Sequence, residues 1–142
     1  MVTLIDGFVG GVVATVAMTA LMMTMGDDSP PPTALFLAKY VGDGDPTAYK
    51  KPGLLLHLGY GIAGGAVFVL AAPAVGFGLA TTGTAVLAGL AYGFVLFLVA
   101  AMFWMNVVLG MDADLKMATL FLLFHLVYGG VLGAVAGAGL FG

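Results

Sequence analysis

The chain contains no cysteine, which excludes disulfides, thiolate metal centres, iron–sulfur clusters and thiol redox chemistry. Arginine, glutamate and glutamine are missing too, and there is one serine, Ser29, and one asparagine, Asn106. An anion transporter would lack the guanidinium that clamps phosphates and carboxylates. A serine hydrolase would have its only nucleophile in the loop Ser29-Pro30-Pro31-Pro32, so no Ser-His-Asp arrangement is available. The residues therefore argue against an enzyme. Charge itself is scarce: 8% of the 142 residues are charged, against about 25% in soluble domains. All seven acids are aspartates and outnumber the four lysines, for a net charge of −3. That balance suits a salt-loving microbe and disfavours nucleic acid, whose phosphates need cationic contacts.

What is present is apolar. Hydrophobic residues make up 62% of the chain and the mean hydropathy is +1.16, the composition of an integral membrane protein. The 23 glycines fit that reading, because small residues let helices approach closely in lipid. Four runs are long enough to cross roughly 30 Å of hydrocarbon: about 4–25, 54–72, 84–109 and 117–141. The breaks between them are Gly26-Asp27-Asp28-Ser29 with its prolines, Pro73 with Gly76 and Gly78, and Asp112-Ala113-Asp114. The first run has no basic n-region and no small-residue cleavage site, so it reads as a retained span rather than a signal peptide. Thr33–Val41 is too short to cross and too apolar to float free, which predicts a short interfacial helix after the prolines. Lys39, Lys50, Lys51 and Lys116 all fall in the first and third connections. The positive-inside tendency then puts those connections in the cytoplasm and both termini outside the cell membrane.

One phrase occurs twice. The same 68-residue offset relates His57 to His125, Tyr60 to Tyr128, Gly61 to Gly129 and Gly65 to Gly133. The expected fold is thus an all-α integral membrane protein, a single transmembrane domain over 1–142, built as two parallel helical-hairpin repeats of about 1–75 and 76–142. Each repeat holds an even number of spans, so both copies insert the same way up, unlike inverted transporter repeats.

Residues four apart share a helix ridge, and each histidine heads a column of glycines: His57, Gly61, Gly65 and His125, Gly129, Gly133, Gly137. Small-residue columns mark helix contacts in lipid, and ionisable groups at depth face the interior. Both imidazoles are therefore expected inside the bundle, about 9 Å of rise beyond Lys51 and about 13 Å beyond Lys116, with Tyr60 and Tyr128 placed to orient an imidazole or a ligand. The third span repeats the narrow face with Ala85, Gly89 and Gly93, and the first with Gly11, Thr15 and Thr19.

Several roles compete for the histidine pair. It can tie helices together by hydrogen bonds. It can supply axial ligands to a haem b, with Gly61 and Gly129 clearing room for the macrocycle. It can join Met18, Met22, Met25, Met102 and Met105 in holding Cu(I), since thioether and imidazole suit a soft ion. The acid pairs Asp27-Asp28, Asp43-x-Asp45 and Asp112-x-Asp114 fit no calcium loop and read as solvated acids. Phe103-Trp104-Met105-Asn106 reads as an interface anchor with no other role.

Gly11-x-x-Ala14-Thr15-x-x-Met18, a proline-containing connection, and a second span opening on His57 and Gly61 resemble a family of small prokaryotic, in composition halophilic-archaeal, four-span membrane proteins of unknown function. The resemblance covers essentially the whole chain and implies fold and location, with no catalytic role. The leading expectation is an accessory or oligomer-forming subunit that packs by GxxxG contacts with itself or with a larger, respiratory membrane complex. A haem- or metal-binding protein using His57 and His125 comes second, and a small-solute channel or transporter third.

Overall fold

Thr3 sets the start of the first span. Its hydroxyl accepts the Asp6 amide at 3.3 Å, while the Asp6 carboxylate accepts the Thr3 amide at 2.8 Å and the Thr3 hydroxyl at 2.7 Å. This reciprocal capping box begins α1 (Leu4–Met25). The computed structural model describes residues 1–26, 28–112 and 114–142. Asp27, half of one acid pair singled out in the sequence, lies outside the described residues.

After the prolines comes α2 (Pro32–Tyr40), with Pro32 in the first turn, where a missing amide proton costs nothing. A 3-10 turn (Pro46–Tyr49) leads into α3 (Lys50–Ala74). The Thr47 amide donates to Asp45 at 2.9 Å, and that bond, with the Thr47 hydroxyl, holds the Asp45 carboxyl below the usual carboxylate range. Helix α3 starts four residues before the expected Leu54 and carries Pro73 in its last turn rather than stopping short of it.

Helix α4 (Thr82–Val99) does not continue as an α-helix. Ala100–Leu109 is a π-helical segment, with bonds that span five residues instead of four. It ends at Gly110, whose φ of 67° is left-handed and whose amide reaches back to the Met105 carbonyl. The last carbonyls of the segment find partners on α2. Lys39 Nζ donates to Val108 at 2.9 Å, and the Tyr40 hydroxyl donates to the same oxygen at 2.7 Å. A cation at a helix C-terminus also opposes the negative end of the dipole. Helix α5 (Leu115–Ala138) is capped by Asp114, which accepts the Met117 amide at 2.7 Å, and closes at Gly139, φ 58°.

Among the described residues, four helices are long and apolar enough to cross a membrane: Leu4–Met25, Pro46–Ala74, Thr82–Leu109 and Leu115–Ala138. The described residues form helices and no strand, and the chain is a multi-pass membrane protein. Large apolar side chains such as Val16, Leu55, Leu70 and Leu87 point outward, the pattern of a bundle solvated by lipid.

Helix α1 packs against α3 and α5, and α5 against α4, whereas the backbones of α3 and α4, neighbours in sequence, stand apart. The close contacts run through glycine. A methyl group added at Gly11 would strike the Gly61 carbonyl, and one at Gly65 the Gly7 carbonyl. In the other hairpin a methyl at Gly129 would strike the Gly89 carbonyl, and one at Gly93 the His125 carbonyl. These backbone-to-backbone seams close one half of the bundle and leave the other half, between α3 and α4, to be filled by side chains.

Candidate functional site

The space left between α3 and α4 is a cavity of about 210 Å³. It lies in the half of the bundle nearest the lysine-bearing connections, and it is bordered by both histidines. His57 comes from the first half of α3, His125 from the first half of α5, Thr15, Met18 and Met22 from α1, and Pro31, Pro32, Thr33 and Phe36 from the start of α2. Among the described residues no aspartate or lysine borders it.

The two imidazoles are held differently. His125 Nδ1 lies 2.7 Å from the Phe121 carbonyl one turn back, and its ring meets the Phe121 ring edge-to-face at 4.5 Å between centroids. A carbonyl only accepts, so Nδ1 carries the proton and Nε2 keeps its lone pair. His57 Nδ1 stands 3.5 Å from the Thr19 hydroxyl, beyond good hydrogen-bond distance. Among the described residues neither Nε2 has a hydrogen-bond partner.

The short side-chain bonds that reach α3 from the other long helices come from tyrosines. The Tyr128 hydroxyl donates to the Gly61 carbonyl at 2.7 Å, and the Tyr92 hydroxyl donates to the Gly64 carbonyl at 2.9 Å. Both link the second hairpin to α3, and each contributes about 1 kcal/mol or less in lipid. Tyr128 is therefore committed to a backbone oxygen and orients no imidazole. Its counterpart Tyr60 is 48% exposed and packs edge-on against Trp104 at 5.9 Å. Gly61 borders the cavity, whereas Gly129 does not: it is buried in the seam with Gly89.

The sequence reading of Phe103-Trp104-Met105-Asn106 needs correction. Trp104 and Met105 border the cavity, Met105 only 3% exposed, while Phe103 faces outward. The cause is the π-helical segment. With its wider turns, Ala100, Trp104, Met105 and Leu109 fall on one face and all four line the cavity. An α-helical repeat of 3.6 residues would have carried Phe103 and Val107 toward that face in place of Met105 and Leu109.

The lining decides which of the expected groups fit. A haem does not. Of the glycines meant to clear a slot, Gly65, Gly129 and Gly133 are met by neighbouring backbone and Gly61 by the Thr15 side chain, and about 210 Å³ is close to the ~150 Å³ that holds a single benzene ring, far short of a macrocycle. For Cu(I), the soft donors Met18, Met22 and Met105 do share the cavity with the histidines, while Met25 and Met102 point elsewhere. Among the described residues no group of three or more His, Asp or Glu side chains could hold a metal ion.

Two residues escaped the sequence reading. Thr33 borders the cavity, and its Oγ1 is buried without a hydrogen-bond partner; nothing in the sequence marks it. Asp6 is 1% exposed and, besides capping α1, accepts the Phe141 amide at 3.1 Å, which ties the two ends of the chain together. Its Thr-x-x-Asp spacing was the available signal. No family model, curated protein or solved structure matches the chain.

Proposed function

We propose that this is a non-enzymatic membrane protein that binds a small ligand inside its bundle, at the His57/His125 pair. One observation carries the reading: two imidazoles from separate hairpins border a single cavity, each with Nε2 unclaimed by the protein. A residue pair that served only to join helices would spend its nitrogens on other helices. Here His125 bonds within its own helix, His57 reaches α1 only through the long 3.5 Å contact with Thr19, and Tyr92 and Tyr128 make the shorter links to α3.

The accessory-subunit reading draws less support. Its means of association was the glycine columns, and these are used up within the chain, so a second copy or a partner must pack on other surfaces. A second ligand reading, Cu(I), is favoured by Met18, Met22 and Met105 around the same cavity.

The finer architecture belongs to this proposal. We read the two hairpins as parallel copies, because Gly61 meets α1 and Gly129 meets α4 through corresponding glycine contacts. The lysine-bearing connections are placed in the cytoplasm and both termini outside. Helix α2 lies along the cytoplasmic interface and roofs the cavity with Pro32, Thr33 and Phe36.

The test is mass spectrometry and metal analysis of protein purified in mild detergent without chelator. The wild type is expected to retain one small molecule or ion in near-stoichiometric amount, and His57→Phe/His125→Phe to lose it while staying folded. No bound species in the wild type, or the same species in both proteins, overturns the proposal.

A further inference from the structure

We infer that the ligand is the ring of a tailed hydroquinone: a neutral single-ring headgroup with ring hydroxyls, its apolar tail leaving between α3 and α4. This rests on the reading of the cavity as a ligand site and adds the chemical class.

Size comes first. A cavity of about 150 Å³ holds one benzene ring, so about 210 Å³ takes a substituted ring and no macrocycle. It is also far more room than a single metal ion needs. The walls suit a flat ring, since Phe36 and Trp104, edge-to-face at 5.6 Å, and Phe121 all border the cavity and aromatic faces and edges attract one another. With no lysine among the described residues of the lining and no arginine in the chain, a phosphate or carboxylate would be buried without a fixed counter-ion, which is costly.

Polarity then selects the substituents. His125 Nε2 is an acceptor, because Nδ1 spends its proton on Phe121. It calls for an O–H donor from the ligand, which a hydroquinone has and an oxidised quinone lacks. Thr33 Oγ1 is the sole buried side-chain oxygen or nitrogen without a partner among the described residues, and a hydroxyl can both give and accept. A ring with oxygens at opposite ends answers both groups at once. Access is from the bilayer: the α3 and α4 backbones stand apart, joined by Tyr92 at Gly64 and Phe68, and nearer the histidines the two helices give the cavity only the apolar set Leu56, Leu96 and Val99 beside the gap.

Trp104 is the chain's one tryptophan and borders the cavity, so its emission reports on the site alone. The full chain in phosphatidylcholine nanodiscs is titrated with a decyl-tailed benzoquinone in its reduced and oxidised forms. The expected result is saturable quenching, at least tenfold tighter for the hydroquinone, weakened at least fivefold by Thr33→Val and by His125→Phe. Thr33→Val removes no hydrogen bond made within the protein, so it keeps the fold if His125→Phe does not. Quenching that never saturates, or that is the same in wild type and Thr33→Val, overturns the proposal. If hydroquinone fails while another molecule co-purifies and is lost in the double histidine variant, the ligand class falls and the ligand site stands. If neither is seen, both fall.

Discussion

Gly129→Ala is expected to destabilise the protein by about 3 kcal/mol. A methyl group there lands on the Gly89 carbonyl and close to the Gly93 backbone, and backbone cannot rotate away as a side-chain tip can. Helices α4 and α5 must move apart along the seam, losing the close packing that holds helices together in lipid. Gly59→Ala is the control. It lies in α3, where an added methyl meets nothing within 4 Å, so the change is expected to be neutral or stabilising by up to about 1 kcal/mol through helix propensity. Thermal unfolding in mild detergent, followed by circular dichroism, separates the two. Gly89→Ala should resemble Gly129→Ala, and the double variant should lose less than the sum, because the first methyl has already opened the seam for the second.

The second large effect is at the ends of the chain. Asp6→Ala is expected to cost about 2–3 kcal/mol. It removes the cap of α1, worth about 1 kcal/mol, and leaves the part-buried Phe141 amide and Thr3 donors without the acceptor that the buried Asp6 carboxylate supplies. Asp6→Asn retains one acceptor oxygen and should recover part of the loss. Amide exchange tells a lost cap from a lost tie: Phe141 should exchange far faster in Asp6→Ala, whereas interior amides of α5 such as that of Leu132 should speed up only with global unfolding.

Much of this architecture was legible because lipid imposes strong rules. A span must be long and apolar, and its breaks must carry glycine, proline or charge, so α1 matched its expected bounds and α5 differed by two or three residues at each end. The glycine columns were legible as contact faces for the same reason. Their occupants were not, since a column that admits a flat ligand and one that admits a neighbouring backbone have the same spacing. The site was half legible. His57 and His125 stood out as lone ionisable groups in apolar runs. Trp104 and Met105 were read only as part of an aromatic and polar interface anchor at a span end; which of them turn inward is set by the π-helical bonding of Ala100–Leu109, which no residue pattern there announces. Thr33 could not be found at all, because its significance lies in what α2 folds over rather than in any local pattern.

The account rests on His57 and His125 facing one shared space within a single chain. Since the protein has no cysteine, a His57→Cys/His125→Cys variant carries thiols at those two positions only, and a short bifunctional thiol reagent applied to membranes asks the question directly. The account predicts rapid cross-linking within one chain, slowed when the cavity is narrowed by Ala100→Phe. Separate modification of the two thiols, or cross-links formed only between neighbouring chains, would contradict it.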